Sequence, residues 1–340
     1  MQSVRDVTYQ LLREFGLTTF FGNVGSTEET FLKNFPADFR YVLALQEASV
    51  IGMADGFAQA TGQPALVNVH TGAGLGNTMG NLMTAWLNKT ALIVTAGQQT
   101  REMLLMEPWL TNVEATMLPR PWVKWAYEPM RAEDVPAAFM RAIATALQPP
   151  AGPVFLSLPL DDWEKPCVGP AVVRTVSRRF GPDRTRLAEF ANALSEASSP
   201  VLIYGAAIDR GNGWSEAIAF AEALGAPVWA APASERAPFP ENHPLYFLAD
   251  CRSRWVHSAK NSKATTWRSS SVLRFSAITP TCLVPTCQTG CGSCTFPTIR
   301  QRPRAPLLGT VCWGMPSYLS LPSRNCSASA SRRPTGRGKR

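Results

Sequence analysis

Glu47 lies in the stretch Leu43-Ala44-Leu45-Gln46-Glu47-Ala48-Ser49-Val50-Ile51-Gly52-Met53-Ala54-Asp55-Gly56, where the residues that share its helical face are apolar or small. A carboxylate in such surroundings is costly without a dedicated partner. The setting disfavours the charged form and suits a protonated acid that donates one hydrogen bond. The plainer reading is a glutamate at a helix start that faces solvent, and Glu47 taken alone favours it. Its neighbours in the chain carry more. Ser26 opens Ser26-Thr27-Glu28-Glu29, which reads as a capping box and also as a helix N-terminus able to receive a ligand carboxylate. His70 is the only histidine in the first 240 residues. At a strand end such a residue is more often structural than functional, yet histidine is also the side chain that moves protons near neutral pH. Gly72-Ala73-Gly74-Leu75-Gly76-Asn77 has the look of a dinucleotide turn, but its spacing is not G-x-G-x-x-G and no acidic residue ends the next strand. That argues against a nicotinamide enzyme.

The elements that must position these groups alternate. Apolar spacing predicts a helix over 4–15, a strand over 18–21 with a turn through Ser26, and a helix to Leu32. A strand over 41–45, the Glu47 helix to Thr61, and a strand over 65–70 follow. A glycine-rich turn over 71–77 then leads into a helix ending near Asn88, and strands at 91–96, 122–127 and 154–158 surround a helix over 132–147. This alternation predicts an α/β fold with a doubly wound parallel sheet covered on both faces. Ligands gather at the carboxyl ends of such strands. Ser26, Glu47, His70 and Gly97-Gln98-Gln99 all fall at predicted strand ends. The domain reading is 1–165 for this sheet, 166–182 as linker, 183–250 as an incomplete second α/β domain, and 251–340 as an irregular basic tail. Two strands are predicted in the second domain, at 201–205 and 226–230, with helices over 187–197 and 214–224.

Charge divides the chain at the same place. Residues 1–250 hold 18 Lys+Arg and 25 Asp+Glu, a net of −7, whereas 251–340 hold 15 Lys+Arg and no acidic residue, a net of +15. Cys167 is the one cysteine of the first part; Cys251, Cys282, Cys287, Cys291, Cys294, Cys312 and Cys326 crowd the second. Three readings of the tail compete. It is a basic nucleic-acid-binding arm, a metal-binding knot on the C-x4-C-x3-C-x2-C spacing, or translation of a GC-rich gene out of frame. The missing acids, the excess of Arg over Lys and the abundance of Ser, Pro, Cys and Trp favour the last. The four cysteines are packed too tightly for two ordinary zinc knuckles, so no metal ligand is assigned, and nucleic acid is an unlikely partner. Arg5, Asp6, Arg13 and Glu14 interrupt any signal-like apolar run, and no stretch approaches the roughly 20 apolar residues that span a bilayer. With a single cysteine in the coherent part, a reducing cytoplasm and no membrane contact are expected.

The motifs of residues 1–165 resemble the pyrimidine-binding domain of thiamine-diphosphate-dependent decarboxylases, nearest to the benzoylformate decarboxylase type. The resemblance is carried by Phe21-Gly22-Asn23-Val24-Gly25-Ser26, Phe31-Leu32-Lys33-Asn34-Phe35-Pro36, Leu43-Ala44-Leu45-Gln46-Glu47-Ala48, Ala54-Asp55-Gly56, Leu92-Ile93-Val94-Thr95-Ala96-Gly97-Gln98-Gln99-Thr100-Arg101 and Leu158-Pro159-Leu160-Asp161-Asp162-Trp163. It continues more weakly to His243-Pro244. It implies thiamine diphosphate and Mg2+ as cofactors, an aromatic 2-oxo acid as the small-molecule substrate, carbon dioxide as a product, and a homodimer or homotetramer. Glu47 would donate to the aminopyrimidine ring nitrogen, Ser26 would bond the substrate carboxylate, and His70 would move protons on the reacting groups. Asn23, Val24, Gly25, Gly72 and Asn77 would approach the cofactor, and Trp109 and Leu110 would line an apolar substrate pocket. The chain departs from the family in three places. Val24 stands where a proline is usual, the Gly-Asp-Gly segment that holds the diphosphate through a cation is missing, and a second active-site histidine has no counterpart. The expectation is therefore an inactive fragment of a decarboxylase. The alternatives are an acetolactate synthase-type carboligase and a nucleic-acid-binding protein that acts through its tail.

Overall fold

The computed structural model describes residues 1–247 and the backbone of Val272–Phe275. Strands β1 (Thr19–Asn23), β2 (Arg40–Leu43), β3 (Ala65–Val69), β4 (Leu92–Gln98), β5 (Ala126–Tyr127) and β6 (Val154–Pro159) form one sheet in the order β2-β1-β3-β4-β6-β5. Every pairing in it is parallel. Helices α1 (Val4–Glu14), α2 (Glu29–Leu32), α3 (Glu47–Thr61), α4 (Thr71–Leu87) and α5 (Val135–Leu147) accompany it. Successive strand residues point to opposite faces. Phe20, Leu66 and Ile93 pack with Val4, Leu11, Leu12, Phe139 and Ile143 of α1 and α5. Phe21, Val67 and Val94 pack with Val50, Ile51, Ala54, Leu75 and Leu82 of α3 and α4. Burial on both faces is why β3 and β4 read as nearly unbroken apolar runs. The doubly wound parallel sheet expected from the alternation is the fold observed.

Two local expectations change. The glycine-rich run after β3 is not a turn: α4 begins at Thr71 and includes it. Glycine propensity is overridden by packing, because a Cβ at Gly74 would lie 3.3 Å from Val69 Cβ and 3.5 Å from Glu47 Cγ. The missing side chain lets α4 start against β3 and α3. The predicted strand over 122–127 shrinks to Ala126–Tyr127. Lys124 N–H bonds the Pro153 carbonyl outside the ladder, and the Lys124 ammonium turns to the carbonyls of Thr145 and Gln148 at the end of α5.

The second unit comprises α6 (Arg184–Glu196), β7 (Val201–Tyr204), α7 (Ala207–Arg210), α8 (Trp214–Leu224), β8 (Val228–Ala230), β9 (Tyr246–Phe247) and β10 (Val272–Phe275). Its parallel sheet runs β10-β7-β8-β9, and Leu202, Tyr204, Ile208, Ala221, Val228 and Phe239 form its core. It has four strands where two were expected. β9 is too short to show a period, and β10 lies in the segment read as irregular, where Val272–Phe275 pairs with β7. Helix α6 buries none of its residues, so the unit is an incomplete α/β domain. The cysteines from Cys251 to Cys326 and His257 lie outside the described residues. Among the described residues no helix is long and apolar enough to cross a membrane.

Candidate active site

Glu47 is the first residue of α3, four positions after the end of β2, and only 8% exposed. Gln46 caps the helix by accepting the Ser49 N–H at 3.1 Å. The Glu47 carboxyl is held from two sides. Oε1 accepts from Asn23 Nδ2 at 2.9 Å, and Oε2 accepts from Asn77 Nδ2 at 3.0 Å. Asn23 ends β1 and Asn77 lies on the second turn of α4, so three elements converge on one acid. These partners are what a buried carboxyl requires. An asparagine amide turned over offers its oxygen in place of its nitrogen, so the same two side chains can hold Glu47 with or without its proton.

His70 precedes α4 as its N-terminal cap residue, with its side chain 23% exposed. Its Nδ1 lies 3.0 Å from Glu28 Oε2 and 3.1 Å from Thr27 Oγ1. Thr27 donates its own proton to Glu28 Oε1 at 2.7 Å. The oxygen beside Nδ1 belongs to a carboxylate that only accepts, so Nδ1 carries hydrogen and Nε2 is left as the available ring nitrogen. Glu28 is 2% exposed and also accepts the N–H groups of Gly25 and Gly97, each at 2.8 Å. The two glycines are required by space. A Cβ at Gly25 would come within 2.5 Å of His70 Nδ1, and one at Gly97 within 2.1 Å of Glu28 Oε1. Next to His70, the buried Thr71 holds φ at +47°. For a β-branched residue this is a true outlier and stores about 1–3 kcal/mol. The strain falls where the chain swings from β3 into α4 and aims the imidazole.

Glu28 was not identified as a site residue from the sequence, because Ser26-Thr27-Glu28-Glu29 looks like an ordinary capping box. Only half of that pattern is present, and it is shifted by one residue. Gly25, not Ser26, precedes the short 3-10 helix Ser26–Glu28, and Glu28 reaches back to the Gly25 N–H. Ser26 is exposed, and its hydroxyl makes no hydrogen bond among the described residues. Gly25 and Val24 are half-buried on the same corner. Gly72 lies on the first turn of α4 against Asn112, whose Oδ1 would be 3.0 Å from a Cβ there. Asn112 and Gln98 are locked reciprocally, backbone to side chain, at 2.9 Å in each direction.

Trp109 and Leu110 do not enclose a pocket as expected. Trp109 is 87% exposed, and its carbonyl is held by Gln99 Nε2 at 2.9 Å. Leu110 is half-buried at φ +70°. The cavity of about 340 Å3 in this region is lined by Gln98, Leu104, Glu107, Asn112, Glu114 and Glu128, among others, and not by those two residues. Arg101 anchors the segment. Its guanidinium bonds both oxygens of the 1%-exposed Asp162, at 2.8 and 2.7 Å, and the carbonyls of Pro129 and Met130. Among the described residues no group of three or more His, Cys, Asp or Glu is placed to hold a metal ion.

Comparison with known proteins bears directly on this arrangement. Residues 2–115 match the thiamine pyrophosphate enzyme N-terminal TPP binding domain, and residues 187–257 match the thiamine pyrophosphate enzyme central domain. A benzoylformate decarboxylase of Pseudomonas aeruginosa is 49% identical over 249 residues, which are 72% of this chain and 47% of that protein. The crystal structure of benzoylformate decarboxylase from Polynucleobacter necessarius superposes with a TM-score of 0.71 at 64% identity, covering 72% of this chain and 46% of that one. A thiamine diphosphate-dependent 4-hydroxybenzoylformate decarboxylase of Rhodococcus jostii RHA1 gives 0.71 at 44% identity, with 72% and 47% covered. The chain thus spans about half the length of the relatives it matches.

Proposed function

This chain belongs, through its N-terminal and central domains, to the thiamine pyrophosphate enzymes; we propose that its Glu47–His70 face is the pyrimidine-side half of an active site that decarboxylates aromatic 2-oxo acids. The observation that carries this reading is the Glu47 carboxyl, shielded from water and gripped by Asn23 and Asn77. Such an acid fits a heteroaromatic ring nitrogen. It can give or take one proton there while the flanking amides turn to match. When bound, thiamine diphosphate supplies a nucleophilic carbon and a sink for the electrons released with carbon dioxide.

The remaining roles belong to side chains of this chain. His70, fixed by Glu28 through Nδ1, presents Nε2 to move a proton at the substrate oxygen or carbon. Ser26 has a free hydroxyl with which to bond the substrate carboxylate. Trp109 and Leu110 become an apolar wall only when another protein surface closes over them. Exposed Leu45, Leu105 and Met106 favour such a surface, and the names of the relatives favour an aromatic 2-oxo acid.

The sequence contains no Gly-Asp-Gly segment to grip a diphosphate through Mg2+. This polypeptide by itself is therefore proposed to bind the cofactor weakly and not to decarboxylate. Titration of the full chain with thiamine diphosphate, with and without Mg2+, and with the free aminopyrimidine tests both parts. Weak binding that is indifferent to Mg2+ and lost in Glu47→Ala is expected. Tight magnesium-dependent binding overturns the inactivity, and aminopyrimidine binding that survives Glu47→Ala overturns the site.

A further inference from the structure

Asn77, Asn81 and Asn88 recur along α4 at intervals of four and seven, which places them on one stripe of the helix. Each donates its amide across to α3. Asn77 reaches Glu47 Oε2 at 3.0 Å, Asn81 reaches the Ala48 carbonyl at 2.5 Å, and Asn88 reaches Asp55 Oδ2 at 2.7 Å. Asp55 is 7% exposed, and its other oxygen collects the Thr90 hydroxyl and Gln59 Nε2. The second unit grips the same end of α3, where Arg236 Nη2 donates to the Gln59 carbonyl at 2.7 Å. Gly52 of α3 lies between these contacts, where a Cβ would be 3.7 Å from Asn81 Nδ2, and Gly74 of α4 lies just before them against Glu47. Small residues let two helices approach closely but offer few ridges to fix how far one slides along the other.

We propose that Asn81, Asn88 and Asp55 are positioning residues that lock α3 against α4 in the one register that sets the Glu47 carboxyl between Asn23 and Asn77. Only the consequence for chemistry rests on the reading of Glu47 as the site acid. The register itself is tested without cofactor, so failure of the one is separable from failure of the other.

The experiment uses the full chain labelled with 15N-asparagine and follows the side-chain amide signals of Asn23 and Asn77 in Asn81→Ala and Asn88→Ala. With helical circular dichroism unchanged, both variants are expected to shift those signals and to speed amide exchange in the first turn of α3 several-fold. Residue 88 is roughly 16 Å along the helix from Asn77, so a merely local role for Asn88 would leave them in place. If only signals adjacent to the substitution move, the proposal is overturned. Should Asn88→Ala fail to fold, Asp55→Asn decides the question by the same readout, because residue 55 is about 12 Å along α3 from Glu47.

Discussion

Glu28 Oε2 sits 3.0 Å from His70 Nδ1, and the same oxygen takes the Gly25 N–H at 2.8 Å. One buried carboxylate thereby fixes both the tautomer of the imidazole and the corner of backbone beside it. Glu28→Gln places an NH2 among donors, so at least one bond must break. We expect the Nδ1–H tautomer to give way to a mixture, seen in 15N spectra of the ring, and stability to fall by about 2 kcal/mol. An unchanged tautomer would remove Glu28 from the site.

Gly97→Ala puts a methyl group where Glu28 Oε1 and Thr27 already lie, at 2.1 and 2.4 Å. Neither neighbour is a free chain end, since the two are bonded to each other, Glu28 also to the Gly97 N–H and Thr27 also to His70. A loss of about 1–3 kcal/mol or more is expected in urea unfolding. Gly56→Ala, where nothing lies within 4 Å, is the control and should be neutral or mildly stabilising.

Arg101 neutralises Asp162 in a nearly dry setting. Removing the guanidinium leaves a buried carboxylate unpaired, which costs about 3–5 kcal/mol. Arg101→Met should also free the segment that carries Trp109, so limited proteolysis is expected to cut between residues 102 and 118 before any other site. Arg101→Met with Asp162→Leu should recover most of the stability.

Burial pulls the Lys124 ammonium down to about 8 from the ordinary lysine value of 10.5. Between those values the unfolded chain holds a proton that the folded chain has released, so this group's contribution to stability rises with pH across that window and is lost as pH falls through about 8. In Lys124→Met the slope across that window should flatten. An unchanged slope would mean that the two carbonyls it bonds keep the ammonium charged.

Much of this architecture could be read from residue order. β3 and β4 announce themselves as apolar runs, and Glu47 stands out because its neighbours are small. What escaped did so for physical reasons. Glu28 supplies half of a helix-capping pattern, to the N–H one residue earlier than it looks. The glycines of α4 have low helix propensity, and among them it is Gly74 whose missing side chain leaves room for Glu47 and Val69. β5 and β9 are two residues each, shorter than any period can reveal. Trp109 was placed by resemblance to complete enzymes, and its surroundings here do not close over it.

The two sheets are unequally clothed. The first carries helices on both sides, while α6 of the second unit buries none of its side chains. Heating such a molecule should not produce one cooperative melt. The poorly covered body is expected to come apart first and the six-stranded one later, so calorimetry should record two peaks. The hydrogen bonds around Glu47 and His70 would outlast the lower peak and vanish with the upper.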